Sequence, residues 1–239
     1  WLRWLLFRDG LGATNHYESN GYIRSRPGLS FPDIQYHFLA GALVFDGSNT
    51  YSGHGFGALF NPAKPKSRGR LRLRSGDAAE APTLLFNYLD HEEDRLIYRL
   101  GLKLTREIIA QAPFDPYRGR EINPGPEVQS DDDIDAWVAE YAKTCYHPCG
   151  TCKMGVDNAA VVDGQTRVHG VDGLRVVDSS IMPFITNGNL NAPTIMIGEK
   201  AADMILGKDP LQPSNAPTYY ADAWETTQRT GVPERDLSN

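Results

Sequence analysis

Residues 174–178 read LRVVD, residues 186–191 read TNGNLN, and residues 193–207 read PTIMIGEKAADMILG. The first stretch is a short apolar run and predicts a buried strand, which ends in the polar loop of the second stretch. The third stretch starts with Pro193, a residue suited to the first turn of a helix, and continues with apolar residues at helical spacing. This part of the sequence therefore predicts a strand that leads through a polar loop into a helix ending near Gly207.

Upstream, residues 12–88 consist mostly of strand and turn signals. Residues 34–38 (IQYHF) are rich in residues that favour strands, and residues 70–74 (RLRLR) alternate apolar and basic side chains. In the alternating stretch the leucines would face one side and the arginines the other, as in an antiparallel sheet with one face in solvent. We therefore predict an antiparallel sheet in this part of the chain.

Two helices are predicted between the sheet and the polar loop. The first begins near Asp90, has apolar residues at i+3 and i+4 spacing, and ends at Pro113. The second begins at Ser130, where a run of aspartates at residues 131–133 suits the positive end of a helix. The chain is thus predicted to combine a sheet with flanking helices.

The composition is that of a globular protein. The chain has 239 residues, of which 41% are hydrophobic, and its 24 basic and 30 acidic residues give a net charge of −6. Because the basic residues form no long block, the electrostatic footprint of nucleic-acid binding is missing, and no nucleic-acid partner is expected. The longest apolar run, residues 38–45, is far shorter than the roughly 20 residues of a membrane span. The sequence therefore predicts one large domain or two small ones, without a transmembrane segment.

Three cysteines and a histidine lie close together in residues 145–155 (CYHPCGTCKMG). A zinc site would use these thiols and His147, and a redox dithiol would use Cys149 and Cys152. The zinc interpretation lacks a second ligand pair elsewhere in the sequence, and the dithiol interpretation lacks a following helix. Packing of the thiols in the interior is the third interpretation, and no metal site is predicted. So few cysteines also indicate a reducing compartment and hence a cytoplasmic location.

His147 is the candidate base in this cluster. A helix that starts near Pro193 presents unpaired N–H groups and partial positive charge at its first turn, which suits an anion. A base on one loop and a helix N-terminus next to another loop are suited to removing a proton and stabilising the resulting oxyanion. The residue pattern therefore indicates a site for proton abstraction.

A series of ordered motifs resembles the C-terminal signature of the glucose-methanol-choline (GMC) flavoprotein oxidoreductases. The motifs lie at residues 147–155, 161–163, 167–170, 173–183 and 188–200, with supporting matches at residues 10–18, 86–88, 117–122 and 124–125. The resemblance covers most of residues 10–209, and a series of this length is much more specific than one short motif. Within the family, the motifs are most similar to bacterial members that oxidise choline.

The resemblance implies an α+β / α/β flavoprotein with two domains. Residues 10–140 would form the substrate-binding domain, an antiparallel sheet with helices. Residues 141–209 would complete a Rossmann-like FAD-binding domain, and residues 210–239 would form a C-terminal tail. The family's Gly-x-Gly-x-x-Gly fingerprint is not found in the sequence. We therefore expect a C-terminal fragment that lacks the N-terminal half of the FAD-binding fold and is inactive alone.

The resemblance also assigns roles to residues of the two loops. His147 matches the base that takes the alcohol proton or holds the alkoxide, and Asn191 matches its partner in the active site. The matches to the FAD site are Asp178, Ser179, Asn191, Pro193 and Thr194. Since hydride transfer needs an acceptor that no side chain supplies, FAD is the expected cofactor.

The reaction implied by the resemblance is the oxidation of choline to betaine aldehyde, the first step to glycine betaine. The quaternary ammonium of choline suits aromatic faces and a carboxylate, for which the resemblance proposes Tyr146, Phe56 and Glu18. The alternatives are an uncharged primary alcohol as substrate and, in a different class, a non-catalytic Cys/His metal-binding module. The motifs do not specify the electron acceptor. They also leave peripheral attachment to the inner face of the cell membrane open beside a cytoplasmic location.

Overall fold

The computed structural model describes residues 2–10, 12–15, 17, 19–42, 53–229 and 231. The chain divides into two compact units. The first unit consists of Trp1–Pro62, Arg95–Ala142 and Asp222–Asn239, and the second unit consists of Ala63–Asp94 and Lys143–Ala221. Each unit therefore joins segments that are far apart in the sequence.

The helices of the described chain are α1 (Leu2–Phe7), α2 (Glu92–Ile109), α3 (Asp131–Tyr141) and α4 (Asn191–Ile205), with single 3₁₀ turns at Ala112–Phe114 and Ser179–Ile181. The three helices predicted from periodicity are confirmed. Two of them differ at their first residue, since α2 starts after Asp90 and α4 starts before Pro193. Among the helices described, none has both the length and the hydropathy needed to cross a bilayer.

A three-stranded antiparallel sheet lies in the first unit. Its strands are β1 (Ser19–Ile23), β2 (Ile34–Leu39) and β3 (Gly57–Pro62), in the spatial order β1-β2-β3. On the central strand, Tyr36 is paired with Phe60 of β3. The antiparallel arrangement predicted for this part of the sequence is therefore confirmed.

The core of the first unit forms where β2 meets the apolar stripe of α2. Ile34 and Tyr36 of the strand and Ile97 and Leu104 of the helix are at most 4% exposed and form one cluster. The helical residues are seven positions apart, two turns of helix, so they lie on the same face. This burial explains why the i+3/i+4 periodicity of the sequence predicted the helix.

Gly101 allows α2 to approach the sheet closely. A Cβ atom at this position would lie 2.5 Å from Cε2 of Phe60. The Gly101 carbonyl accepts a hydrogen bond from the hydroxyl of Tyr36 at 3.1 Å, so the buried phenol has a partner. A side chain at position 101 would therefore separate two elements that are also joined by a buried hydrogen bond.

A capping box begins α3. The Ser130 hydroxyl accepts a hydrogen bond from the Asp133 backbone N–H at 3.1 Å, and the Asp133 carboxylate accepts one from the Ser130 backbone N–H at 3.0 Å. Hydrogen bonds to the Asp133 carboxylate from the Ser130 side chain and from the Ser130 and Gln129 backbones hold the pKa of Asp133 below its usual value. The reciprocal bonds satisfy two of the donors that a helix start leaves unpaired.

The second unit contains a two-stranded antiparallel sheet of β4 (Arg70–Arg72) and β5 (Thr83–Leu85). The sequence predicted that the leucines of 70–74 would form a buried face. This expectation is wrong for the described chain, because Leu71 is 46% exposed and Leu73 is 78% exposed. Since β4 pairs with β5 alone, no further strand of the described residues extends the sheet.

The buried strand predicted at residues 174–178 is also not present. Arg175 forms a single bridge with Arg167, and Leu174 and Val177 are 51% and 37% exposed. A strand with a continuous apolar run is buried when neighbouring strands flank it and helices cover both faces of the sheet. Among the described residues the segment has only one bridge in place of a neighbouring strand, and the side chains of Leu174 and Val177 are left in solvent.

The C-terminal residues of the first unit pack against the turn that follows β1. The Arg24 guanidinium donates to the Gln228 carbonyl at 2.9 Å, and the Gln228 side chain donates to the Arg24 carbonyl at 2.6 Å. The backbone N–H of Gly28 donates to the Trp224 carbonyl at 2.9 Å. These bonds join residues about two hundred positions apart.

Candidate active site

The loop that carries His147 lies along the 3₁₀ turn Ser179–Ile181 in the second unit. The backbone N–H of Cys152 donates to the Ser180 carbonyl at 3.0 Å, and that of Met154 donates to the Ile181 carbonyl at 2.7 Å. Gly150 has a φ of +90°, and a Cβ there would lie 3.3 Å from the Met182 carbonyl oxygen. A residue without a side chain is therefore needed where the two segments meet.

His147 is held next to the first turn of α4. Its Nε2 atom lies 2.8 Å from the side-chain nitrogen of Asn189, and the Leu190 backbone N–H points at its Nδ1 with 3.5 Å between the nitrogens. Leu190 is the N-cap residue of α4 and is 4% exposed. The candidate base and the helix N-terminus that the sequence singled out are thus neighbours in the fold.

No side chain of the described residues caps the first turn of α4. The Leu190 carbonyl accepts from both the backbone N–H and the hydroxyl of Thr194, at 2.9 and 2.6 Å, and Leu190 itself offers no capping side chain. Pro193 has no N–H, so the backbone donors before it are those of Asn191 and Ala192, and both residues are exposed. Uncapped amides and the positive end of a helix dipole suit an anionic group.

Asp178 caps the same 3₁₀ turn and Ser179 begins it, so both lie close to the His147 loop. The Asp178 carboxylate accepts from the Ser180 backbone N–H at 2.7 Å, and the Ser179 hydroxyl donates to the Pro148 carbonyl at 3.4 Å. The second unit therefore contains the predicted cofactor positions together with His147 and Asn191.

The three predicted substrate residues have different positions. Tyr146 is 71% exposed and has a φ of +61°, an uncommon conformation for a bulky residue, directly before His147. Phe56 belongs to the first unit, where its ring centroid lies 5.6 Å from that of Phe114. Glu18 lies outside the described residues.

The cysteines of the cluster are reduced thiols. Burial of the sulfur raises the pKa of Cys145, although the residue as a whole is exposed. Burial also raises the pKa of Cys149, and this effect outweighs the opposite influence of the Arg68 charge. Metal binding and dithiol exchange need a thiolate, which a raised pKa disfavours. Within the described residues, no group of three or more His, Cys, Asp or Glu side chains is placed to hold a metal ion.

Two residues of the 187–191 loop were not singled out by the sequence. Asn189 contacts the imidazole, and Asn187 has a buried side-chain oxygen that accepts no hydrogen bond from the described residues. A buried acceptor without a partner is uncommon and suits a ligand that offers an N–H group. Together with the uncapped start of α4, this acceptor fits a polar, partly anionic cofactor such as a flavin.

The GMC oxidoreductase family model matches residues 65–198, which is more than half of the chain. The chain therefore belongs to the GMC oxidoreductase family, and the resemblance noted in the sequence is confirmed. A relative from Photobacterium profundum, named oxygen-dependent choline dehydrogenase, is 53% identical over 237 residues. The alignment covers 98% of this chain and 42% of the relative, so the chain spans less than half of that relative's length.

Solved structures show the same family. Pyridoxine 4-oxidase from Mesorbium loti is 30% identical with a TM-score of 0.73, and the match covers 82% of this chain and 39% of that one. A formate oxidase from Aspergillus oryzae RIB40, studied for the modification of its FAD, is 25% identical with a TM-score of 0.69, over 75% of this chain and 32% of the oxidase. The FAD of the formate oxidase agrees with FAD as the expected cofactor.

Proposed function

We propose that this chain is the C-terminal part of an FAD-dependent choline dehydrogenase, which oxidises choline to betaine aldehyde. The observation that carries the proposal is the position of His147 beside the uncapped first turn of α4. The name of the relative from Photobacterium profundum supports choline as the substrate, since the identity is 53% over nearly the whole chain. A base next to a group of backbone donors suits the removal of an alcohol proton and the stabilisation of the resulting oxyanion.

The domain assignment implied by the family is part of this proposal. Residues 10–140 would bind substrate, residues 141–209 would complete a Rossmann-like FAD-binding domain, and residues 210–239 would form the tail. The remainder of the FAD-binding fold would come from the part of the whole protein that corresponds to the rest of the relative's length. Reduced cysteines in one short cluster support a cytoplasmic location.

The residues of this chain would act on the alcohol hydroxyl. His147 would accept its proton, a role that typically contributes about 10²- to 10⁴-fold to the rate. Asn191 would hydrogen-bond the same oxygen as negative charge develops on it. When bound, FAD supplies the acceptor for the hydride that leaves the alcohol carbon.

The same elements of the second unit would hold the cofactor. Asp178 and Ser179 belong to the turn beside the His147 loop, and Asn191, Pro193 and Thr194 form the start of α4. The helix dipole there favours a negative charge by about 0.3–1 kcal/mol, and by up to about 2 kcal/mol when partly buried. The side-chain oxygen of Asn187, which accepts no hydrogen bond from the described residues, would accept one from the cofactor.

The ammonium group of choline would be bound by Glu18, Tyr146 and Phe56. Each cation–π contact contributes about 0.5–2 kcal/mol. A substrate with a fixed positive charge is thus expected to be favoured over an uncharged alcohol of the same shape.

A chimeric enzyme tests the proposal. Residues 1–239 replace the matching C-terminal part of the Photobacterium profundum relative, and retained FAD, measured by absorbance, serves as the check of folding. We expect oxidation of choline, loss of most of this activity in His147→Ala with FAD retained, and a raised KM for choline in Glu18→Gln. A folded, FAD-loaded chimera that does not oxidise choline contradicts the proposal.

An uncharged alcohol as substrate is the second candidate. The structural match to pyridoxine 4-oxidase has a TM-score of 0.73, and the substrate in that enzyme's name lacks the quaternary ammonium of choline. The comparison of choline with 3,3-dimethylbutan-1-ol, its uncharged isostere, separates the two. Equal kcat/KM for both alcohols, and an equal effect of Glu18→Gln on both, would favour the second candidate.

A further inference from the structure

The imidazole of His147 is contacted at both ring nitrogens by the same loop. The Asn189 carboxamide lies at Nε2, at 2.8 Å, and the Leu190 backbone N–H lies at Nδ1, at 3.5 Å. The first distance is that of a good hydrogen bond and the second is at the limit of one. Asn189 therefore makes the stronger contact with the candidate base.

The backbone of the loop places Asn189 in this position. Gly188 has a φ of +146°, and its N–H donates to the Thr186 carbonyl at 2.7 Å, which makes a tight turn directly before Asn189. On the other side, Leu190 is buried at the start of α4. Asn189 lies between these two fixed positions, and its side chain is directed at His147.

A carboxamide is suited to hold an imidazole that gains and loses a proton. Neutral histidine has one N–H donor and one acceptor nitrogen, and protonated histidine has two donors. Asparagine carries an N–H donor and an oxygen acceptor, which a half-turn of the carboxamide exchanges. With Nε2 held by Asn189, Nδ1 is the nitrogen that would take the alcohol proton, in place of its weak contact with the Leu190 N–H. Nε2 then keeps its own proton and donates it to the carboxamide oxygen of Asn189 before and after the transfer.

We propose that Asn189 is the positioning residue of His147, which keeps the imidazole in one orientation beside the start of α4 in both of its protonation states. This inference deepens the proposed function and rests on it for the role of His147 as base. The resemblance assigned the partner position to Asn191, two residues further along, whereas the contact at Nε2 is made by Asn189. The two asparagines would then have different tasks, one toward the base and one toward the substrate oxygen.

The first experiment uses the 239-residue chain and ¹⁵N NMR of the histidine rings. In the wild type we expect separate Nδ1 and Nε2 resonances for His147 and a nuclear Overhauser contact from its ring to Asn189. Asn189→Leu, which keeps the size and removes both polar groups, should lose the contact and move both nitrogens toward the values of free imidazole. Asn189→Asp, which keeps an acceptor, should restore part of the separation.

The chain offers a matched control in a second histidine–asparagine pair. His37 Nδ1 lies 2.6 Å from the side-chain oxygen of Asn20, in the first unit. Asn20→Leu should change the ring nitrogens of His37 and leave those of His147 in place. Unchanged His147 resonances in a folded Asn189→Leu chain would overturn the inference, whatever the activity of the whole enzyme.

The second experiment measures catalysis in the chimera described above. A misplaced base costs about 10²-fold, so Asn189→Leu should lower kcat with choline by about that factor with little change in KM or bound FAD. A raised KM or a lower FAD content with kcat unchanged would contradict a positioning role. An inactive chimera with Asn189 intact would count against the proposed function alone, since the NMR result stands without it.

Discussion

Replacement of Gly101 by alanine sets helix propensity against packing, and the structure decides which effect is larger. Alanine is favoured over glycine inside a helix by about 1 kcal/mol. At position 101, however, the new methyl would lie 2.5 Å from a ring carbon of Phe60, whereas carbon atoms prefer about 3.5–4.0 Å. Phe60 cannot withdraw easily, because the rings of Tyr36 and Tyr98 lie on it with centroids 5.9 Å away.

Overpacking of a core costs about 1–3 kcal/mol, so Gly101→Ala should lower the free energy of unfolding of the first unit by up to about 2 kcal/mol after the gain in propensity. Urea unfolding followed by tryptophan fluorescence is the suitable assay, because all four tryptophans of the sequence fall in the first unit. A midpoint equal to or above that of the wild type would refute the reasoning.

Gly198 in α4 is the matched control for this prediction. Among the described residues, and apart from the backbone of α4 itself, no atom lies within 4 Å of a Cβ built at this position, so the propensity gain is not opposed. Gly198→Ala should raise the stability of the second unit by about 0.5–1 kcal/mol, measured by circular dichroism, and leave the tryptophan transition unchanged. A destabilised Gly198→Ala chain would show that helix propensity does not determine the effect of this substitution on stability.

Further predictions concern the cap, the thiols and a buried carboxylate. Ser130→Ala should cost about 1 kcal/mol in urea unfolding. The Ser130 bonds depress the pKa of Asp133. Their contribution to stability is therefore present above the ordinary pKa of 3.8 and is lost as the pH falls through the lowered pKa. In acid, the stability of Ser130→Ala should differ less from that of the wild type. Cys149 should react with iodoacetamide more slowly than free cysteine at pH 8, by mass spectrometry, since burial raises its pKa; an equal rate would contradict this. Asp33→Ala should cost more than about 2 kcal/mol, because two buried Ser25 donors, each 2.6 Å from the carboxylate, lose their acceptor; a loss below about 1 kcal/mol would contradict that burial.

Elements with a strong local signal were predictable from the sequence. The apolar period of α2 and the Ser130 cap of α3 both arise from interactions within a few residues, which a sequence displays directly. The strand at Ile34–Leu39 is similar, because its β-forming residues are also those buried in the core.

Burial that depends on distant parts of a fold was not predictable. Residues 70–74 and 174–178 have the pattern of covered strands, yet pattern alone does not supply the neighbouring strands that cover them. Both segments are therefore more exposed in the described chain than their sequences indicate.

The candidate site was predictable in its chemistry but not in its contacts. His147 and the start of α4 follow from residue type and helix signals, and the structure places them together. Which asparagine of the loop would face the imidazole depends on the turn at Gly188, and this backbone geometry has no signature in a run of alternating asparagines. Gly188 indicates a turn before Asn189, but it does not indicate which side chain that turn directs at the imidazole.

The bonds between Arg24 and Gln228 have a consequence for synthesis of the chain. They join residues 204 positions apart, and between them the polypeptide passes through the whole of the second unit. Contacts of such high contact order form slowly. On a ribosome the first unit would remain open at this edge until Gln228 has been translated, so the second unit is expected to reach its native contacts first.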